Sequence, residues 1–71
     1  MKEEIQILDV VALLEDMLER GLVTGQVGTV VEILDEGIFE VEFCDNNGHT
    51  YEILALREDQ LMRLHYSPVA A

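Results

Sequence analysis

A chain of 71 residues, 49% of them hydrophobic and one of them cysteine, allows a single packed domain and excludes an internal disulfide framework. No run approaches the roughly 20 apolar residues of a membrane span, and the opening MKEEIQ lacks the basic and apolar regions of a secretory leader, so a cytoplasmic protein away from membranes is expected. Fifteen acids face four bases (Lys2, Arg20, Arg57 and Arg63), a net charge of −11 that repels phosphate and argues against nucleic-acid binding.

In chain order, residues 1–6 read as a polar lead-in. Ile7, Val10, Val11, Leu14, Met17 and Leu18 recur at helical spacing, with Gly21 as a natural stop, which predicts a helix. The run Leu8–Leu14 is also a plausible strand buried on both faces. Val27–Leu34 is rich in β-branched residues, Asp35-Glu36-Gly37 is a turn, and Ile38–Cys44 alternates Phe39, Val41 and Phe43 against Glu40, Glu42 and Cys44. Asn46-Asn47-Gly48 makes a second turn, Thr50–Leu56 a further strand, Arg57–Gln60 a short helical turn and Leu61–Leu64 a last strand. Residues 65–71 read as a tail, so the whole of 1–71 is one domain.

Both loops fit three-residue hairpins that end in a left-handed glycine. Counting outward from the first pairs Ile33 with Phe39, Glu32 with Glu40 and Val31 with Val41; counting from the second pairs Cys44 with Thr50, Phe43 with Tyr51, Glu42 with Glu52 and Val41 with Ile53. The two counts agree on one inner face of Thr29, Val31, Ile33, Phe39, Val41, Phe43, Tyr51 and Ile53, with Val30, Leu34, Ile38 and Leu54 outward among the glutamates. A one-residue slip would turn a glutamate inward. The outer face then sets Glu32 opposite Glu40 and Glu42 opposite Glu52, each pair destabilising by up to roughly 1 kcal/mol. Such a stripe is a solvated surface, a guard against edge aggregation or a site for a basic partner.

The stretch Gly25–Ile33, GQVGTVVEI, has the form of a KOW motif, found in domains that bind RNA at the ribosome or polymerase. More broadly, LDVVAL, GLVTGQVGTVVEI and EVEFCDNNGHTYEILAL with the closing DQLMRL resemble a family of small bacterial proteins catalogued as domain-of-unknown-function family four-nine-two-six, over residues 8–64. The resemblance implies a fold and no activity: a mostly β, SH3-like, KOW-like barrel of five short strands with a helical turn before the last. Members often have proline in the stretch matching Glu15–Arg20, which favours a first strand at Leu8–Leu14 followed by a loop over one long helix. This chain has Met17-Leu18 there, which leaves room for a helical turn in that loop.

No catalytic, cofactor or metal motif emerges, and no enzyme is expected. Cys44 lies beside Asp45, the wrong neighbour for an activated thiol. Cys44, His49 and His65 lack the spacing of a zinc site, and Asp35-Glu36 and Asp45-Asn46-Asn47 lack that of a calcium loop. His49 is placed to pair with Asp45. The function expected is that of an acidic protein-interaction module that docks on a basic partner, as antitoxins and immunity proteins do, or self-associates; Glu32, Glu40, Glu42 and Glu52 are the candidate contact residues. The alternative is a KOW-like module at ribosomal or polymerase nucleic acid, for which four scattered bases and mostly core-assigned aromatics give little support.

Overall fold

The computed structural model describes residues 4–65. Five antiparallel strands form one sheet: β1 (Val10–Leu13), β2 (Val27–Asp35), β3 (Ile38–Cys44), β4 (Thr50–Arg57) and β5 (Leu61–Arg63), in the spatial order β4-β3-β2-β1-β5. Single 3-10 turns stand at Leu18–Arg20 and at Glu58–Gln60. The expected strand at the start of the chain is therefore present, shortened to Val10–Leu13, and the helical spacing over residues 7–20 forms no helix beyond one turn. Val10, Val11 and Leu13 instead pair with β2 and β5, and their partners decide the conformation. The described strands form no ladder between β4 and β5, so the sheet stays open where a barrel would close.

All five strands feed one core. Val11 and Leu13, Val30, Phe39, Val41 and Phe43, Leu54 and Leu56, and Leu61 cluster with Ile5 and with Leu22 from the β1–β2 loop. Ile5 is buried, so the opening segment, read as a polar lead-in, supplies a core residue. With no second layer among the described residues, the core lies along one face of the sheet, joined there by Ile5 and Leu22.

Both hairpins turn where expected. Gly37 and Gly48 have φ of 73° and 82°, the left-handed conformation in which glycine replaces other residues at no steric cost. Cys44 pairs with Thr50, Ile33 with Phe39 and Glu32 with Glu40, as counted from the sequence. Asp35, however, pairs with Ile38, an irregularity that leaves Leu34 out of the ladder.

Beyond these points the register departs from the count at two bulges. On β2, Val30 pairs with Val41 and Glu32 with Glu40, leaving Val31 unpaired. On β4, Thr50 pairs with Cys44 and Glu52 with Phe43, leaving Tyr51 unpaired. Each extra residue reverses the facing of everything beyond it. Val30, Leu54 and Leu56 fill the core, while Val31, Tyr51 and Ile53, expected inside, are exposed; Ile33, also expected inside, keeps its pairing with Phe39 and is exposed toward the hairpin end. Thr29 is half-buried on the outer face. Of the residues expected outward, Leu34 is exposed and Ile38 half-buried. Phe39, Val41 and Phe43 are buried as expected.

Candidate functional site: the outer face of the sheet and the loop latch

The four candidate glutamates separate into distinct environments. The slip on β4 puts Glu52 on the side that faces the core, at the rim, the outcome a bare hydrophobic count disfavours. The chain meets it with a cation. Arg20, on the first 3-10 turn, donates from Nε and Nη2 to the two carboxylate oxygens of Glu52 at 3.0 and 3.2 Å. This two-point geometry holds a guanidinium and a carboxylate coplanar. Glu52 thus latches the β1–β2 loop to β4 through a surface pair with Arg20.

The same loop is fastened elsewhere. Gln26 Nε2 donates to the Tyr51 hydroxyl at 2.5 Å, and Tyr51 sits 6.4 Å, ring to ring, from Phe43. Asp16 Oδ1 accepts from the backbone N–H and hydroxyl of Thr24 at 2.8 and 2.9 Å. Met17 and Leu22 pair across the loop, which sends Leu22 into the core and leaves Leu18 exposed.

The Arg20 hydrogen bonds, then the Ile53 N–H and the Arg20 charge, hold the Glu52 carboxyl below its usual range; the Thr24 hydrogen bonds do the same for Asp16. A carboxyl whose pKa is lowered on folding lends stability above its unfolded pKa and loses it as pH falls through the folded value. Wild type is therefore expected to lose thermal stability as acid titrates these groups. Glu52→Gln should be less stable at neutral pH and should show a shallower acid loss, read from melting midpoints across pH 3–7 (about this span covers carboxylate titration). An unchanged slope would remove Glu52 from the acid response.

Glu32, Glu40 and Glu42 lie on the outer face, away from the core. Glu42 accepts from the Thr50 hydroxyl at 2.9 Å and pairs in register with Ile53 rather than with Glu52. Glu32 and Glu40 stand directly opposite on β2 and β3, with no ion-pair partner among the described residues. Apolar side chains share this face. Met62, Ala12 and Val27 form one row across β5, β1 and β2, and Val10, Thr29, Glu42 and Ile53 form the next across β1 to β4. Val27, Ile53 and Met62 are exposed. The face thus combines an apolar patch with a carboxylate border. The sequence count missed this because it had turned Ile53 inward; the second possible face of β4, with Leu54 and Leu56, was the available signal.

The described arginines are each committed within the chain. Arg20 holds Glu52, Arg57 Nε is 3.0 Å from Asp59, and Arg63 Nε is 2.8 Å from Asp9 in a half-buried pair joining β5 to the start of β1. The pair of Arg57 and Asp59 borders an open depression lined also by Gly37, Ile38 and Glu58. Lys2 and Tyr66 lie outside the described residues, as does the tail beyond His65.

In the KOW-like stretch, Gly25 serves the turn into β2, its N–H bonded to the Leu13 carbonyl, and Gly28 and Val30 pack against β3. His49 Nδ1 lies 3.7 Å from Asp45 Oδ2 on the surface, the pairing expected. Cys44 is exposed, its sulfur 3.6 Å from the Thr50 hydroxyl. Among the described residues no three His, Cys, Asp or Glu side chains gather as a metal site would require, and no helix is long and apolar enough to cross a membrane.

Comparison with curated proteins finds no match, and none is found among solved structures. One family model does match, over residues 7–63, four-fifths of the chain: with its strand, KOW-like stretch and closing strand all inside that span, the chain belongs to the family described as Domain of unknown function (DUF4926).

Proposed function

We propose that this chain is a small acidic interaction module that docks on a basic protein through the outer face of its sheet, in the manner of an antitoxin or immunity protein. The observation that carries the reading is the pairing of Glu32 with Glu40, uncompensated on a face that also exposes Val27, Ile53 and Met62, while each described arginine is consumed by a carboxylate elsewhere. Apolar centres with polar borders are the anatomy of protein interfaces. An uncompensated like-charge pair on such a face favours a partner that brings cations, and the net charge of −11 steers it in. The same commitment of the arginines leaves little with which to neutralise phosphates, so nucleic acid is the weaker ligand.

Glu40→Lys separates fold from function. It converts a repulsive cross-strand pair into an attractive one, so the fold should be unchanged or stabilised by a few tenths of a kcal/mol, roughly the worth of such a pair. Binding to a basic protein captured by the wild-type chain should weaken at least about tenfold, and raised salt should weaken the wild type in parallel. In the same titration, mixed single-stranded RNA should give no saturable signal. Binding indifferent to both Glu40→Lys and salt would end the acidic-face reading. Salt-sensitive RNA binding weakened by Arg57→Ala or Arg63→Ala would replace it with the nucleic-acid one.

A further inference from the structure

Among the described residues other than glycine, one has a positive φ. Leu8 has φ of +74°, in the left-handed region. For a residue with a Cβ this conformation is disfavoured by roughly 1–2 kcal/mol, and glycine or asparagine is the usual occupant. Leu8 is also the most exposed large hydrophobic residue described, at 72%. A strained backbone therefore holds an apolar side chain in water, where most of that side chain's surface is left unburied.

The strain is imposed from several sides. Asp9 N–H donates to the Gln6 carbonyl at 3.1 Å, closing a turn with Ile7 and Leu8 at its centre. Gln6 N–H donates back to Asp9 Oδ2 at 2.7 Å, and that oxygen also accepts from Arg63 Nε at 2.8 Å. Leu8 N–H donates to the Val30 carbonyl at 2.7 Å, and Val30 N–H to the Asp9 carbonyl at 2.9 Å. Ile5 just before the turn is anchored in the core. Backbone strain held this firmly persists where function uses it.

The bonds to Val30 set Leu8 beside the β2 bulge, where the unpaired Val31 is exposed and Glu32 follows. Ile7, before Leu8 in the chain, is exposed as well, and Glu32, which follows Val31 on β2, pairs with Glu40. We infer that Leu8 is the apolar anchor of the docking surface, inserting into an apolar pocket bordered by Lys or Arg on a basic protein. This rests on the acidic-face reading above. A second copy of the chain is a poor occupant, since it would bring another −11 to the same place. A basic protein meets both halves of the surface, with the pocket taking Leu8 and the cations taking Glu32 and Glu40.

The test uses Leu8→Gly and Leu8→Asn, both of which accept the left-handed backbone. The probe is the basic protein that the immobilised wild-type chain retains from a lysate of its own cells, purified and titrated against each variant, with Glu40→Lys alongside. The expected result is a melting midpoint at or above wild type for both variants, with binding weakened by about tenfold or more, the loss typical of an interface hot spot. Midpoints that fall in both variants would make Leu8 a structural residue and overturn the inference. Binding unaffected by either variant but weakened by salt and Glu40→Lys would overturn the anchor alone and leave the acidic reading standing. Binding weakened by the Leu8 variants yet indifferent to salt and to Glu40→Lys would overturn the acidic reading, and the basic partner with it. A dimer in sedimentation that Leu8→Asn dissolves would assign Leu8 to a second copy instead. Failure of the wild-type chain to retain any basic protein would overturn both.

Discussion

Phe43→Ala is expected to abolish the folded state near physiological temperature. Phe43 is fully buried in β3, a strand hydrogen-bonded on both sides, and its ring meets the Gly28 backbone on β2 and the Tyr51 ring at the β4 bulge. Truncating a buried phenylalanine costs about 3–5 kcal/mol, part lost transfer energy and part unfilled cavity. A domain of this size has a total stability of only about 4–10 kcal/mol. The loss should lower the melting midpoint by roughly 15–30 °C, at about 4–8 °C per kcal/mol for a domain this small. Phe43→Leu, which keeps most of the volume, should lose far less. Thermal and urea melts followed by circular dichroism decide it. A drop of no more than about 5 °C for Phe43→Ala would mean that the core collapses around the gap or is not centred there.

The hairpins show how far a single sequence can be read. Alternation in Ile38–Cys44 and the glycines at 37 and 48 define β3 and both turns without ambiguity, because one face of β3 is aromatic or aliphatic and the other is largely glutamate. β4 offers no such contrast. Tyr51, Ile53 and Ala55 make one plausible apolar face, Leu54 and Leu56 the other, and only the bulge at Tyr51 selects the leucines. The position of a bulge follows from the packing of the completed core, which local periodicity does not encode. Likewise β2 has adjacent valines at 30 and 31, and one unpaired residue decides which is inside.

For the same reason the glutamates are legible as a group and not as individuals. Charge alone marks Glu32, Glu40, Glu42 and Glu52 as surface residues. Only the three-dimensional register shows that Glu52 lies at the core-facing rim within reach of Arg20, 32 positions away, while Glu32 and Glu40 face each other. The β1–β2 loop follows the same rule. Its helical spacing is real in the sequence, but Val10 and Val11 are used by a strand and Met17 by a bridge, while Leu14 and Leu18 are exposed. Tertiary packing overrides the local period wherever a strand partner is available.

Gly28→Ala is expected to destabilise the fold by about 1–3 kcal/mol, the usual cost of inserting a methyl into a filled space. Its added carbon would lie 2.7 Å from Val41 Cγ1 and 2.9 Å from both the Glu42 carbonyl oxygen and Phe43 Cδ1. Replacing glycine also restricts the unfolded chain, a gain of about 0.4–1 kcal/mol where the native site tolerates the side chain. Here the site does not, since three neighbours already stand inside contact distance. Removing the nearest one should not rescue the variant. Val41→Ala clears Cγ1, but the Glu42 carbonyl belongs to the β3 backbone and can withdraw only by breaking the ladder that aligns Val30 with Val41. The double variant should therefore melt below Gly28→Ala alone, because it adds a cavity without removing the backbone clash. Restored stability in the double variant would show that the side chain was the sole obstacle. A Gly28→Ala midpoint within about 2 °C of wild type would show that the strands separate easily. Either result bears on function, because Gly28 is the second glycine of GQVGTVVEI. If its replacement destabilises the free protein to this extent, close approach of β2 to β3 accounts for that glycine with no nucleic-acid contact required.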